Sequence, residues 1–182
     1  MKKLKLKLLI ILIVLFLVSC GNKEGEILGP YEINSIRDGD TIEIIMKEYP
    51  KDSSGNYADH EYIEETNSYS VPVRLIGIDT EESVASDESR NTEFGRVASD
   101  NTKAILKDEQ VYIEYDEDMF DKYYRLLAYV YYEEDGEMVM LNRELLETGM
   151  AETMYVKPND RYRDDFEKLM KKAKKEGLGM WR

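Results

Sequence analysis

The stretch Arg74-Leu75-Ile76-Gly77-Ile78-Asp79-Thr80-Glu81-Glu82 decides how this chain is read. It is a short apolar run with a guanidinium at its entrance and a group of acids at its exit. Working outward, Val71–Ile78 is rich in β-branched residues and reads as a buried strand. Upstream, Tyr31–Ile36 and Thr41–Met46 are strand-like runs joined by Arg37-Asp38-Gly39-Asp40, and Asp-Gly between such runs signals a hairpin. Downstream, Val111–Tyr115 and Arg125–Tyr132 read as two further strands, and a turn at Glu133–Gly136 leads into Met138–Met140.

Between the third and fourth strands, Phe94, Val97, Ala98, Ile105 and Leu106 fall at helical spacing over 92–107. Asn142 is expected to cap a short helix that ends near Gly149. A last helix is expected after Asp160, with Phe166, Leu169, Met170 and Ala173 on one face and Gly177 as its stop. Five strands, one helix before the fourth and helices after the fifth fit an α+β, mainly β fold: a five-stranded closed barrel of the OB-fold type with about three helices. That reading meets one geometric difficulty. Side chains alternate along a regular strand, so Arg74 and Asp79 would face opposite sides unless the chain bends near Gly77.

The N-terminus reads as an address. Lys2, Lys3, Lys5 and Lys7 precede Leu8–Val18, eleven apolar residues, fewer than the ~20 needed to span a bilayer as a helix. The run closes on Ser19-Cys20, which resembles a bacterial lipobox; an ordinary cleaved secretory peptide is the plainer alternative. The resemblance implies a lipid on Cys20 and a protein tethered to the cell membrane, facing outside the cytoplasm. Cys20 is the sole cysteine, so no intramolecular disulfide forms. The expected organisation is a signal peptide over 1–19, a tether over 20–30 and one domain over 31–182, with an acidic, exposed loop or extended hairpin inserted at about 47–70. The single histidine, His60, lies in that insert with no evident partner and receives no catalytic or metal role.

Residues 1–19 hold four of the 25 lysines and arginines and none of the 38 acids, which leaves 21 against 38, a net charge of −17. A polyanion of this kind is a poor tight, nonspecific partner for nucleic acid, because phosphate neutralisation dominates that affinity. Bound cations can still reverse the field locally. The residues suited to such a site are the carboxylates of Asp40, Asp79 and Glu82, which can hold a hard cation or take a proton, and Arg74 and Arg125, whose planar forks fit phosphate oxygens. Each has a plainer role open to it: a hairpin turn for Asp38-Gly39-Asp40, a solvated strand end for Asp79–Glu82, surface ion pairs for the arginines.

Taken together, the strings Asp38-Gly-Asp-Thr41, Arg74-Leu-Ile-Gly-Ile-Asp-Thr80 with Glu82, Phe94-Gly95, Asp121-Lys-Tyr123 with Arg125-Leu-Leu-Ala-Tyr129, Leu141-Asn142 and Tyr155-Val-Lys-Pro-Asn159 resemble the staphylococcal nuclease (thermonuclease) family in order and spacing. The resemblance runs from about Tyr31 to Trp181. It implies calcium-dependent (Ca2+) hydrolysis of DNA or RNA phosphodiesters by a monomer. Asp40 and Asp79 take the place of the calcium carboxylates, Thr80 adds its carbonyl, and Glu82 stands where a glutamate activates water. Arg74 and Arg125 fall on the two phosphate-holding arginines, and Lys122, Tyr123 and Tyr155 align with residues lining the nucleotide cleft. Several positions depart from the family pattern. Glu81 replaces a proline, Tyr124 replaces a glycine, the segment before Lys157-Pro158 is one residue short and lacks a second tyrosine, and the 47–70 insert is longer. A binding lipoprotein without catalysis, built on the same barrel, is the competing reading; a secreted calcium-binding stalk would leave both arginines unexplained.

Overall fold

Strand β1 (Ile27–Asp38) reverses at Gly39–Asp40 into β2 (Thr41–Met46), which matches the expected strand residue for residue. In this computed structural model, residues 25–82 and 92–182 are described; residues 1–19, read above as a signal peptide, and 20–24 of the expected tether, with Cys20, lie outside them. β1 begins at Ile27, inside the stretch read as tether. Its first residues pair with β6 (Gln110–Glu114), as in Leu28 opposite Ile113, and its later ones pair with β2, as in Ile33 opposite Ile44. One strand thus serves two neighbours, with register shifts that let it bend round the corner.

The 47–70 insert is an extended hairpin. β3 (Glu61–Ile63) turns back onto β4 (Ser68–Leu75), which pairs over Tyr69–Arg74 with the whole of β2. β4 ends at Leu75 rather than Ile78. Ile76–Gly77 turns, and the two-residue β5 (Ile78–Asp79) pairs with β9 (Glu152–Thr153). The barrel closes where β4 meets β7 (Leu126–Glu134) in parallel, with Val73, Arg74 and Leu75 opposite Leu126, Leu127 and Ala128. The closed circuit is β1-β2-β4-β7-β6, five strands, and β8 (Glu137–Met140) extends β7 outside it. Ile42, Ile44, Val73, Leu75, Ile113 and Leu126 fill it, each at most 1% exposed.

Helix α1 (Glu93–Ile105) starts at Thr92, whose hydroxyl accepts from Gly95 N at 2.8 Å. Its buried face is Gly95, Ala98, Ser99 and Thr102; Val97, expected inside, is 44% exposed. Small residues let the helix lie close on the barrel, and Thr102 Oγ1 donates to the Gly39 carbonyl at 2.8 Å. Helix α2 (Leu141–Glu147) begins after Met140, and Asn142 does not cap it. Asn142 is fully buried; its amide oxygen accepts from Val130 N and its amide nitrogen donates to Ile76 O, both at 2.9 Å. Helix α3 (Arg163–Glu176) buries Phe166 and Ala173 and stops at the left-handed Gly177, followed by a 3-10 turn at Gly179–Trp181.

Beneath α3, Glu114 is 1% exposed. Its carboxylate accepts from Gly25 N at 2.7 Å, from the Tyr131 and Tyr162 hydroxyls, and from the Arg161 guanidinium. Burial opposes its ionisation, but these donors prevail and hold its pKa below the usual glutamate range. A depressed folded pKa gives stability that is present above the unfolded pKa and lost as pH falls through the folded one. Glu114→Gln is therefore expected to cost about 2 kcal/mol at neutral pH, by leaving donors unmatched, and to flatten the acid limb of a urea-unfolding stability profile. An unchanged acid limb would remove Glu114 from the account.

Candidate active site

The turn at Ile76–Gly77 brings the site together. Gly77 sits at φ +79°, and a Cβ there would lie 2.9 Å from the Phe166 ring, so neither the conformation nor the space suits another residue. The turn is pinned three ways: Ile76 N donates to Ala128 O at 2.9 Å, Asn142 reaches Ile76 O, and Met154 N donates to Gly77 O at 3.1 Å. With the chain reversed there, Arg74 and Asp79 meet despite their five-residue spacing. Arg74 Nη2 lies 2.5 Å from Asp79 Oδ1, and Arg74 Nη1 lies 2.5 Å from Asp40 Oδ2.

Asp40 is 6% exposed and fixed from several sides. Thr80 N and Thr80 Oγ1 donate to Asp40 Oδ2 at 2.8 and 3.1 Å, Thr41 Oγ1 donates to Asp40 Oδ1 at 3.0 Å, and Leu75 N donates to the Asp40 carbonyl at 3.0 Å. The hairpin tip and the exit of β5 are thereby locked in register. Burial pushes the Asp79 carboxyl above its usual range; Arg74 opposes this, while the charges of Asp40, Glu152 and Glu82 add to it. Negative charge is therefore concentrated where β2 and β5 converge.

Glu82 is placed through its backbone. Thr92 N donates to the Glu82 carbonyl at 3.0 Å, and a Cβ on Gly95 would stand 2.2 Å from that same oxygen. Only glycine lets the first turn of α1 pass so close, which gives Phe94-Gly95 a positional role beside Glu82.

Arg125 is held by a residue that the sequence reading quoted without assigning it a role. Asp121 Oδ1 accepts the backbone N–H groups of Tyr123 and Arg125 at 2.8 and 3.0 Å, and its Oδ2 accepts Arg125 Nε at 2.7 Å and lies 2.7 Å from Nη2. The sequence signal was an aspartate four positions before the arginine in a turn, the spacing of a side chain that folds its own loop. Across the seam, Asn159 exchanges two 2.8 Å hydrogen bonds with the Asp118 backbone and braces the opposite wall.

Arg74 and Arg125 line one cleft of about 500 Å³, together with Lys122, Tyr123, Met154 and Val156. The Tyr123 ring lies beneath Lys122 Nζ at 4.9 Å and the Arg125 guanidinium at 5.6 Å. Tyr155 is not on this wall. Its hydroxyl donates to the Arg163 carbonyl at 3.0 Å and its ring carries the Arg163 guanidinium at 5.1 Å, while its neighbours Met154 and Val156 face the cleft. Alternation along the chain, with Met154 and Val156 toward the cleft, puts Tyr155 on the α3 side. Among the described residues no three Asp, Glu, His or Cys side chains converge as a metal-binding group. Asp40 and Asp79, set side by side on one guanidinium, do offer hard oxygens of the type a calcium-like dication accepts, with carbonyl and water oxygens completing its shell.

A closed five-stranded barrel with two arginines in a cleft beside its closing seam defines an OB-fold protein whose site lies at the strand ends. Residues 72–182 match the family of staphylococcal nuclease homologues, and the chain belongs to that family. It is 39% identical over 109 residues to a thermonuclease of Staphylococcus intermedius, covering 60% of this chain and 62% of that protein. It is 35% identical over 109 residues to a thermonuclease of Staphylococcus hyicus, with the same coverage. With the endonuclease YncB of Bacillus subtilis it shares 33% identity over 146 residues, 79% of this chain and 57% of the relative. The chain thus spans less than two thirds of the length of these relatives.

Proposed function

We propose that this protein is a calcium-dependent nuclease that hydrolyses phosphodiester bonds of DNA or RNA, tethered outside the cytoplasm through a lipid on Cys20. The observation that carries the reading is the meeting of Arg74 and Arg125 in one cleft, with Asp40 and Asp79 on the first of them. Family membership and the thermonuclease and endonuclease relatives support the same chemistry.

The two guanidiniums bind non-bridging phosphate oxygens and offset the charge that builds as phosphorus becomes five-coordinate. Glu82 accepts a proton from the attacking water, the new P–O bond forms, and the bond to the leaving oxygen breaks with a solvent proton completing the alcohol. Asp40, Asp79 and the Thr80 carbonyl would hold calcium, which supplies Lewis acidity toward a phosphoryl oxygen when bound. Lys122 and Tyr123 receive the flanking nucleotide. Asp121 acts through Arg125 as a positioning residue.

Digestion of denatured DNA in calcium is expected to proceed, and EDTA to stop it. Activity indifferent to the chelator would discard the calcium mechanism. No hydrolysis with any divalent ion would favour a non-catalytic binding lipoprotein on the same barrel, a reading to which the −17 charge lends some weight. For the tether, Cys20→Ser is expected to move the protein from the membrane fraction to the medium; an unchanged distribution would reject acylation at Cys20.

A further inference from the structure

Beside the cleft lies a second, shallow concavity of about 470 Å³, walled by the 47–70 insert on one side and Tyr123 and Tyr124 on the other. We propose that this concavity is a second base-stacking subsite, in which Tyr57 and Tyr124 hold a nucleobase of the strand whose phosphate lies between Arg74 and Arg125. The proposal rests on the nuclease reading and adds to it how the strand is captured.

Continuity is the first argument: Tyr123 walls both the cleft and the concavity, so a strand leaving one enters the other. The two rims are joined, because Asp59 N donates to the Tyr124 carbonyl at 2.8 Å. Within the insert, Tyr49 stacks on His60 at 4.2 Å and meets Tyr69 edge-on at 4.9 Å, an aromatic base that packs on itself. Tyr57 stands at the margin of this cluster, 5.0 Å from Tyr49 and 46% exposed. It is a half-exposed ring braced by Tyr49, with Lys51 Nζ over it.

Tyr124 supplies an independent argument. Its φ is +61°, a left-handed conformation that disfavours any residue with a Cβ. The residue is 52% exposed, so core burial does not offset that strain. A large ring kept at a position that glycine would fill without strain, on the rim of a concavity beside the cleft, points to a ligand contact.

The chemistry of the walls selects a base rather than a phosphate. Asp59 lines the concavity and repels an anion, whereas an uncharged ring can enter. Lys51 Nζ, 5.3 Å over Tyr57, and Lys122 Nζ, 4.9 Å over Tyr123, flank the path where the intervening phosphate would pass. Base–aromatic stacking does not depend on net charge, which suits a chain this acidic. It also requires an unpaired base, so the strand is single.

The test compares a fluorescent single-stranded octanucleotide with a dinucleotide, each bound by the full-length chain in EDTA and followed by anisotropy, with KM and kcat for the octanucleotide in calcium as a second readout. Tyr57→Ala and Tyr124→Gly are each expected to weaken octanucleotide binding roughly 10-fold and to raise its KM, with dinucleotide affinity, kcat and the salt slope unchanged. Tyr124→Gly relieves the strained φ, so its melting temperature should not fall and lost binding cannot be ascribed to unfolding. Tyr62→Ala, which removes an exposed ring outside the concavity, is the control. Octanucleotide affinity and KM unchanged in both variants would overturn the subsite, as would an equal loss for the dinucleotide. Failure of the unaltered protein to digest DNA at all would instead remove the nuclease reading beneath it.

Discussion

Arg125→Ala is expected to lower the rate of phosphodiester hydrolysis roughly 10²–10³-fold while leaving the fold in place. Arg125 lies at the edge of the barrel, its side chain 28% exposed, and its partner Asp121 keeps two backbone donors when the side chain is removed. Stability should therefore change little, and the loss should fall on kcat more than on KM, because the grip matters most as charge grows on the phosphate. Arg125→Lys should recover only part of the rate, since an ammonium lacks the planar fork. Steady-state kinetics on denatured DNA decide the matter. A variant that cleaves as fast as the original would take Arg125 out of the chemistry.

Arg74→Ala should act on both fold and activity. The Arg74 and Asp40 side chains are each 9% exposed, and the same guanidinium also pairs with the more open Asp79. Its removal leaves two carboxylates close together with no counter-charge, a loss on the order of 3–5 kcal/mol, or roughly 10 °C in melting temperature. Calcium should stabilise this variant more than the parent, because a dication bound to Asp40 and Asp79 replaces the missing positive charge. Thermal unfolding with and without calcium measures both effects. If calcium shifts neither protein, the aspartate pair is not a metal site, whatever the activity.

Where the sequence was legible, a local pattern and the tertiary fold agreed. Thr41–Met46 follows an Asp-Gly reversal, and Gly177 ends α3 in the left-handed conformation that a stop requires. The misreadings arose where packing overruled pattern. Val71–Ile78 reads as one strand; the bend that the spacing of Arg74 and Asp79 calls for near Gly77 is there, but nothing local says that β4 ends at Leu75 or that Phe166 lies against that glycine. Asn142 has the residue type and offset of a cap, yet it is spent on Val130 and the Ile76 turn, a contact 66 positions away. The buried face of α1 is made of small residues, which a count of large apolar positions passes over. For the candidate site, the sequence named Arg74, Asp40, Asp79 and Arg125, and the fold brings them together. What was hidden was the apparatus that aims each group: Asp121 on Arg125, Gly95 against Glu82, and Thr80 on Asp40.

The parallel joint between β4 and β7 has a consequence for assembly. It unites segments about fifty positions apart, the kind of distant pairing that forms late and slowly. Both guanidiniums stand at that joint, so a chain paused before closure has not yet gathered them into one cleft. An anion spanning the two arginines would in turn clasp the barrel shut and slow its proteolysis.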